Sequence, residues 1–377
     1  MMKVYFDNAA TTSIDNRVIE SMTKVMRDNY ANPSSTHEGG RKSKTIIENA
    51  RKKIASMLNT SPGSIFFTSG GTEADNMAIR CGILDNNVSH AITSKISHHA
   101  VLHPLQDLEN KGNIKLSYVK LNEFGCIDIK NLEELLKHNP KSFVSIMHAN
   151  NEVGTIQPIK EIGELCRKYD AIFHSDTVQT MGHFKFDMQE LHIDFLAASA
   201  HKFHGPKGIG FIYINENISI KPLILGGSQE RNMRAGTENI YSIVGLVEAL
   251  EISHDEMNAD IKHVKKIKKY FIDLLEENFP DIKYNGRSND IESSLFKILS
   301  VSFPKNSISE MLLFQLDIMG ISCSGGSACS SGSSQGSHVI SGINPSNDRP
   351  VVRFSFSKYN TKKEIDYTIE KLVEIFN

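Results

Sequence analysis

Lys202 stands in the run Ser199-Ala-His201-Lys202-Phe-His-Gly205-Pro206-Lys-Gly208. A lysine in a turn is ordinarily a solvated charge. Set among Ser199, His201 and a Gly-Pro pair, its amine can form a Schiff base with a carbonyl cofactor, while the hydroxyl and imidazole serve a phosphate. The cofactor with those needs is pyridoxal phosphate, which also wants an acid beside its ring nitrogen to keep the ring an electron sink. Asp176 closes the apolar run Ala171-Ile-Phe-His-Ser175, so its carboxylate would reach the site floor. Gln179, three residues later, suits the ring hydroxyl. Gly70-Gly71-Thr72 offers bare backbone N–H groups at a helix start, a cup for phosphate. A glycine-rich turn alone says little; joined to Asp176 and Lys202 it says a great deal.

These residues act together only if the chain converges on them. Short β-rich runs at 64–68, 91–93, 115–121, 143–147 and 171–175 alternate with helical runs at 73–84, 100–109, 130–137 and 160–169. That alternation implies a mostly parallel sheet covered on both faces. The runs 195–198 and 209–214 are too close for a helix between them, so they form an antiparallel pair. A long helical stretch over 243–277, broken near His254, leads into a smaller C-terminal unit with strands at 296–303 and 351–356 and helices at 309–319 and 362–376. The reading is three segments: 1–15 near the active site, a large domain over 16–255, and a small domain over 256–377. In a parallel sheet ligands sit at the carboxyl ends of the strands. Gly70-Gly71-Thr72, His98-His99, Asn150-Asn151, Asp176 with Gln179, and Ser199 to Lys202 each follow a different predicted strand.

Composition narrows the class. Acidic and basic residues nearly cancel, 44 against 42, which leaves no general drive toward nucleic acid or an anionic membrane. The basic run from Lys262 to Lys269 reads as a solvated helix face. Asp7 and Asn8 interrupt the first apolar run, and no apolar stretch suits a membrane helix, so a cytoplasmic protein is expected. The cysteines number five, without a CxxC pair, which argues against a disulfide framework or a structural metal site. Cys81 and Cys166 read as core residues.

The sequence resembles the cysteine desulfurases of the class V aminotransferase superfamily, of the nitrogen-fixation and iron–sulfur-cluster-assembly type. The matching stretches run almost end to end: Tyr5 to Thr12, Asn32 to His37, Thr68 to Glu73, His98 to Val101, Asn150 to Thr155, His174 to Gln179, Ser199 to Lys202, Gly226 to Arg231, Arg234 to Thr237, Gly326 to Ser330 and Arg353 to Ser355. The resemblance implies an α/β protein of the fold type I pyridoxal-phosphate-dependent transferases, its mostly parallel large domain joined to a smaller α+β C-terminal domain. It implies that Lys202 holds the cofactor and shuttles protons, that Asp176 pairs with the ring nitrogen, and that His98 stacks on the ring and deprotonates the substrate thiol. Gln179 and Asn151 would contact the ring hydroxyl side or the substrate. Gly71, Thr72, Ser199 and His201 would hold the phosphate, and Thr237 would reach the phosphate of a neighbouring subunit in a homodimer. Arg353 would clamp the carboxylate of L-cysteine. Cys329, in Gly326-Ser-Ala-Cys329-Ser330, would take the sulfur as a persulfide for an acceptor or scaffold protein, and could transiently ligate an iron–sulfur cluster. Cys323 departs from the family pattern and reads as packing.

Two other readings compete. A class V aminotransferase or selenocysteine lyase shares the cofactor residues, and Cys329 argues against the former more than the latter. A non-catalytic scaffold would be expected to have lost Lys202 or Cys329, and both are present.

Overall fold

The computed structural model describes residues 2–305, 311–325 and 337–376. Its strands are β1 (Val4–Tyr5), β2 (Ile65–Thr68), β3 (His90–Thr93), β4 (Lys115–Tyr118), β5 (Phe143–Ser145), β6 (Ile172–Asp176), β7 (Phe195–Ser199), β8 (Gly210–Ile214), β9 (Lys283–Tyr284), β10 (Ile298–Ser302), β11 (Ile321–Ser322) and β12 (Val351–Ser355). Its helices are α1 (Asn16–Asp28), α2 (Glu38–Met57), α3 (Gly71–Leu84), α4 (His99–Asn110), α5 (Ile129–His138), α6 (Ile159–Lys168), α7 (Ile240–Asn278), α8 (Leu312–Ile318), α9 (His338–Ile343) and α10 (Lys362–Phe376).

The large sheet runs β2-β8-β7-β6-β5-β3-β4. It is parallel from β7 through β4, and β8 is antiparallel to both its neighbours, as the short connection from β7 demands. Every residue of β2, β3, β5, β7 and β8 is buried. Helices cover both faces, so these strands are continuous apolar runs and not alternating ones. One core lies under α1, α2, α5, α6 and the first half of α7; another lies under α3 and α4.

The helix expected to break near His254 does not break. α7 is continuous over 39 residues, roughly 58 Å at the α-helical rise. The polar stretch Ser253-His254-Asp255-Glu256 contains neither Gly nor Pro, so nothing interrupts the backbone ladder. What changes there is the partner. Ile243, Leu246 and Leu250 pack on the large-sheet core, whereas Val264, Ile267, Phe271 and Leu275 pack on a second core built on the sheet β12-β10-β9. The basic run is not wholly a solvated face either: Lys268 is fully buried, its Nζ donating to Ser294 Oγ at 2.9 Å.

The N-terminus belongs to the second core. β1 pairs in parallel with β11, and the Phe6 ring packs against Phe271, Phe354 and Phe356. The chain then crosses to the large sheet: Thr12 N–H donates to His201 O at 2.9 Å. The first dozen residues therefore lace the two cores together directly over Lys202. No described helix is long and apolar enough to cross a membrane.

Candidate active site

Five strand ends deliver their residues to one cavity of about 220 Å³, whose walls include Gly71, Thr72, His98, Asn151, Asp176, Gln179, Ser199, His201 and Lys202. Each is placed by its local fold. Gly70, at φ +154°, turns the chain out of β2 so that α3 starts on the cavity rim. A Cβ on Gly71 would lie 2.5 Å from Val178 Cγ2, so only glycine lets α3 begin this close to the turn after β6. His98 caps α4: its Nδ1 accepts the Ala100 N–H at 3.1 Å. Burial first, then the charge of Lys202, holds this imidazole down at about 4, so it is neutral and carries its proton on Nε2. His201, whose Nδ1 lies 3.2 Å from Thr11 Oγ1, is likewise held at about 4 by burial and by Lys202.

Lys202 ends a short 3₁₀ turn after β7, and its Nζ donates to the carbonyls of Ala9 and Ala10, each at 2.7 Å. Gln179 Nε2 donates to the same Ala9 carbonyl at 2.9 Å, while its Oε1 is buried without a partner among the described residues. Asp176 Oδ1 accepts the Val178 N–H at 2.9 Å. Burial, with the charge of Asp75 beside it, pushes Asp176 up to about 7. Asp75 is the residue sequence reasoning missed. It lines the same cavity, and burial pushes it up to about 8. Its signal was legible: it lies one helical turn beyond Gly71 and so shares that residue's face of α3.

Two expected residues lie elsewhere. Arg353 is buried at 1% exposure but is absent from the cavity wall; its Nη2 donates to Asp7 Oδ1 at 2.7 Å and its Nη1 to Asn151 O at 2.9 Å. Thr237 lines a separate cavity with Ser69, Gly208 and Arg234. Arg234 is tied by two hydrogen bonds to Glu73 in the first turn of α3. Cys329 lies outside the described residues. The flanks of its segment do not: Ser324 Oγ donates to Asp7 at 2.8 Å beside Arg353, and His338 Nε2 lies 3.0 Å from Ser97 O, next to His98. Both flanks therefore meet the cavity's surroundings. Cys323 is half-buried against the second core, and burial pushes its thiol well above the ordinary range.

A half-buried lysine and a buried acid at the carboxyl ends of a mostly parallel sheet, with a helix N-terminus on the same cavity, are the architecture of an aldehyde-cofactor enzyme. The aminotransferase class-V family matches residues 4–368, and the chain belongs to that family. It is 42% identical to a cysteine desulfurase, IscS, of Dictyoglomus turgidum, over 99% of this chain and 94% of that one. It is 40% identical to a putative cysteine desulfurase, IscS 1, of Bacillus subtilis, over 100% and 99%. Among solved structures, a NifS-like protein superposes with a TM-score of 0.90 at 37% identity, covering 100% of this chain and 99% of that one. A protein solved as SspA in complex with cysteine superposes with a TM-score of 0.82 at 32% identity, over 96% of this chain and 100% of that one.

Proposed function

We propose that the chain is a pyridoxal-phosphate-dependent cysteine desulfurase that converts L-cysteine to L-alanine and leaves the sulfur as a persulfide on Cys329. The observation that carries the reading is the convergence of Lys202 and Asp176 on one cavity of about 220 Å³. The residues there fit the cofactor. Asp176 is an acid whose ionisation burial opposes, and a protonated ring nitrogen would offset that cost. Gln179 Oε1 is a buried acceptor without a donor among the described residues. Gly71 and Thr72, at the positive end of α3, form with Ser199 and His201 a donor set for a phosphate dianion. Lys202 would bind the aldehyde carbon, and Asn151 would contact the ring hydroxyl side or the substrate.

Bound there, pyridoxal phosphate supplies an electron sink for bonds at the substrate's Cα and Cβ. The chain supplies the rest. The Lys202 amine would carry the Cα proton. His98, neutral at the cavity wall, would stack on the ring and take the thiol proton. The Cys329 thiolate attacks the substrate sulfur: an S–S bond forms, the Cβ–S bond breaks, and its electron pair stays with the carbon skeleton, which leaves as alanine after protonation. Arg353 clamps the substrate carboxylate, which would take the place of Asp7 on the guanidinium.

Thr237 lies outside the Lys202 cavity, and Leu225, which follows the Ile224 whose carbonyl accepts the Ala235 N–H, is 82% exposed. Both support a homodimer in which Thr237 serves the partner's phosphate. A sulfur-acceptor protein, in iron–sulfur cluster assembly or thiolation, would take the persulfide in the cytoplasm. The test is the purified protein itself. It should be yellow and release alanine from cysteine, and Lys202→Ala should abolish turnover. Borohydride reduction should fix the pyridoxyl group on Lys202; a label on another lysine, or turnover by Lys202→Ala, overturns the reading.

A further inference from the structure

We infer that Arg234 is a positioning residue that acts across a subunit boundary: its fork onto Glu73 fixes the turn that presents Thr237 to the partner's cofactor phosphate. The inference rests on the reading of Thr237 as a composite-site residue in a homodimer.

The turn is strained and held at both ends. Glu230, Arg231 and Asn232 stand in succession at φ +44°, +57° and +66°, a left-handed region that non-glycine residues avoid unless their surroundings hold them there. The first hold is on β2, the edge strand of the large sheet. The buried Glu230 carboxylate accepts both Arg51 Nη atoms at 2.8 Å each, and the outward Phe67 N–H at 2.7 Å. The second hold is on the first turn of α3. Arg234 Nε donates to Glu73 Oε1 at 2.8 Å and its Nη2 to Oε2 at 3.1 Å, and that Oε2 also accepts the Ser69 N–H at 2.9 Å. Gly236 N–H donates to Gln229 Oε1 at 3.1 Å and closes the turn. Thr237 follows, exposed.

The two forks do different work. The Arg51–Glu230 pair is buried and by itself ties the segment to the sheet. The Arg234–Glu73 pair keeps 23% and 11% of its side-chain surfaces in solvent, so it adds little to stability. What a bidentate guanidinium adds is direction. Glu73 directly follows Thr72, so one carboxylate orders the Ser69–Gly70 turn of the subunit's own phosphate cup and sets where the chain leaves toward Thr237. Arg234, Gly236 and Thr237 wall an open cavity of about 220 Å³ that is not the Lys202 cavity. A turn held this firmly therefore points its threonine away from its own Lys202.

The test uses mixed dimers of two differently tagged chains, one carrying Lys202→Ala, so that a single Lys202 remains. The readout is retention of borohydride-reducible pyridoxal phosphate on that lysine during dialysis. Arg234→Gln placed on the Lys202→Ala chain should weaken retention at the other chain's Lys202 by about fivefold or more. Placed on the Lys202-bearing chain it should change retention by less than about twofold, because Glu73 keeps the Ser69 N–H. Glu73→Gln, which retains an acceptor for Ser69 but not the charged fork, should show the same asymmetry and stands in should Arg234→Gln fail to fold. A loss equal or greater on the Lys202-bearing chain, or no loss in either arrangement, overturns the inference. Thr237→Ala on the Lys202→Ala chain keeps the two claims apart: without a loss there the composite site itself falls, whereas a loss from Thr237→Ala with none from Arg234→Gln and Glu73→Gln sinks this inference alone.

Discussion

Replacing Asp176 with Asn should make the cofactor-free protein more stable and the cofactor-binding protein worse. In the folded chain Asp176 titrates at about 7 in place of 3.8, chiefly because of burial and then the charge of Asp75. At roughly 1.4 kcal/mol per pH unit, that interval corresponds to a ceiling of about 4 kcal/mol. The folded state holds the proton to higher pH than the unfolded chain does. Below 3.8 the group therefore costs nothing relative to unfolding, and the cost grows as pH rises, reaching its full value above about 7. Asn cannot ionise, and its side-chain oxygen can still accept the Val178 N–H. The assay is urea unfolding of both cofactor-free proteins at about pH 5 and about pH 8. Asp176→Asn should gain stability over the wild type, by a margin that widens from the first pH to the second. It should also bind pyridoxal phosphate at least about tenfold more weakly, having lost the charge opposite the ring nitrogen. A variant less stable than wild type at both pH values, or a margin that does not widen, would refute the electrostatic account of the site.

Two other outcomes follow from single placements. Lys268 is pushed down to about 7 by burial, so the unfolded chain binds its proton more readily and wild-type stability from this group rises with pH between about 7 and 10.5. Lys268→Met should therefore show its largest advantage over wild type near pH 6 and lose it by about pH 10, measured by urea unfolding. Ser294 keeps a partner in that variant because its Oγ also donates to Asp290 O. Thr237→Ala should weaken retention of pyridoxal phosphate without disturbing the Lys202 cavity of its own subunit, as read by dialysis and by sedimentation; a fully active monomer would contradict the composite site.

Much of this was readable in the chain because the residues that wall the cavity from the large sheet follow strands. The order of strand and turn in Ile65–Gly71, Phe143–Asn151, Ile172–Gln179 and Phe195–Lys202 places side chains at one sheet edge with no knowledge of distant contacts. Lys202, Asp176 and Gln179, with His98 after β3, were expected at that edge, and all four line the cavity. The misses have a different physics. α7 was expected to break at His254 because its apolar pattern lapses there, but the lapse marks a change of packing partner, which periodicity cannot distinguish from a helix end. Lys268 read as solvated because its neighbours are basic, yet helical spacing turns it alone toward Ser294 and Leu295. The tie between Arg353 and Asp7 joins residues 346 positions apart and leaves no local trace.

The central claim is that this cavity moves sulfur from cysteine to Cys329, and one measurement tests it most directly. The cofactor-loaded protein is mixed with L-cysteine, alkylated, digested and weighed peptide by peptide, with alanine counted in the same sample. The account predicts one additional sulfur on the peptide containing Cys329, in step with alanine formed, and neither product from Cys329→Ser. Extra sulfur chiefly on Cys323, or normal alanine release by Cys329→Ser, would contradict it.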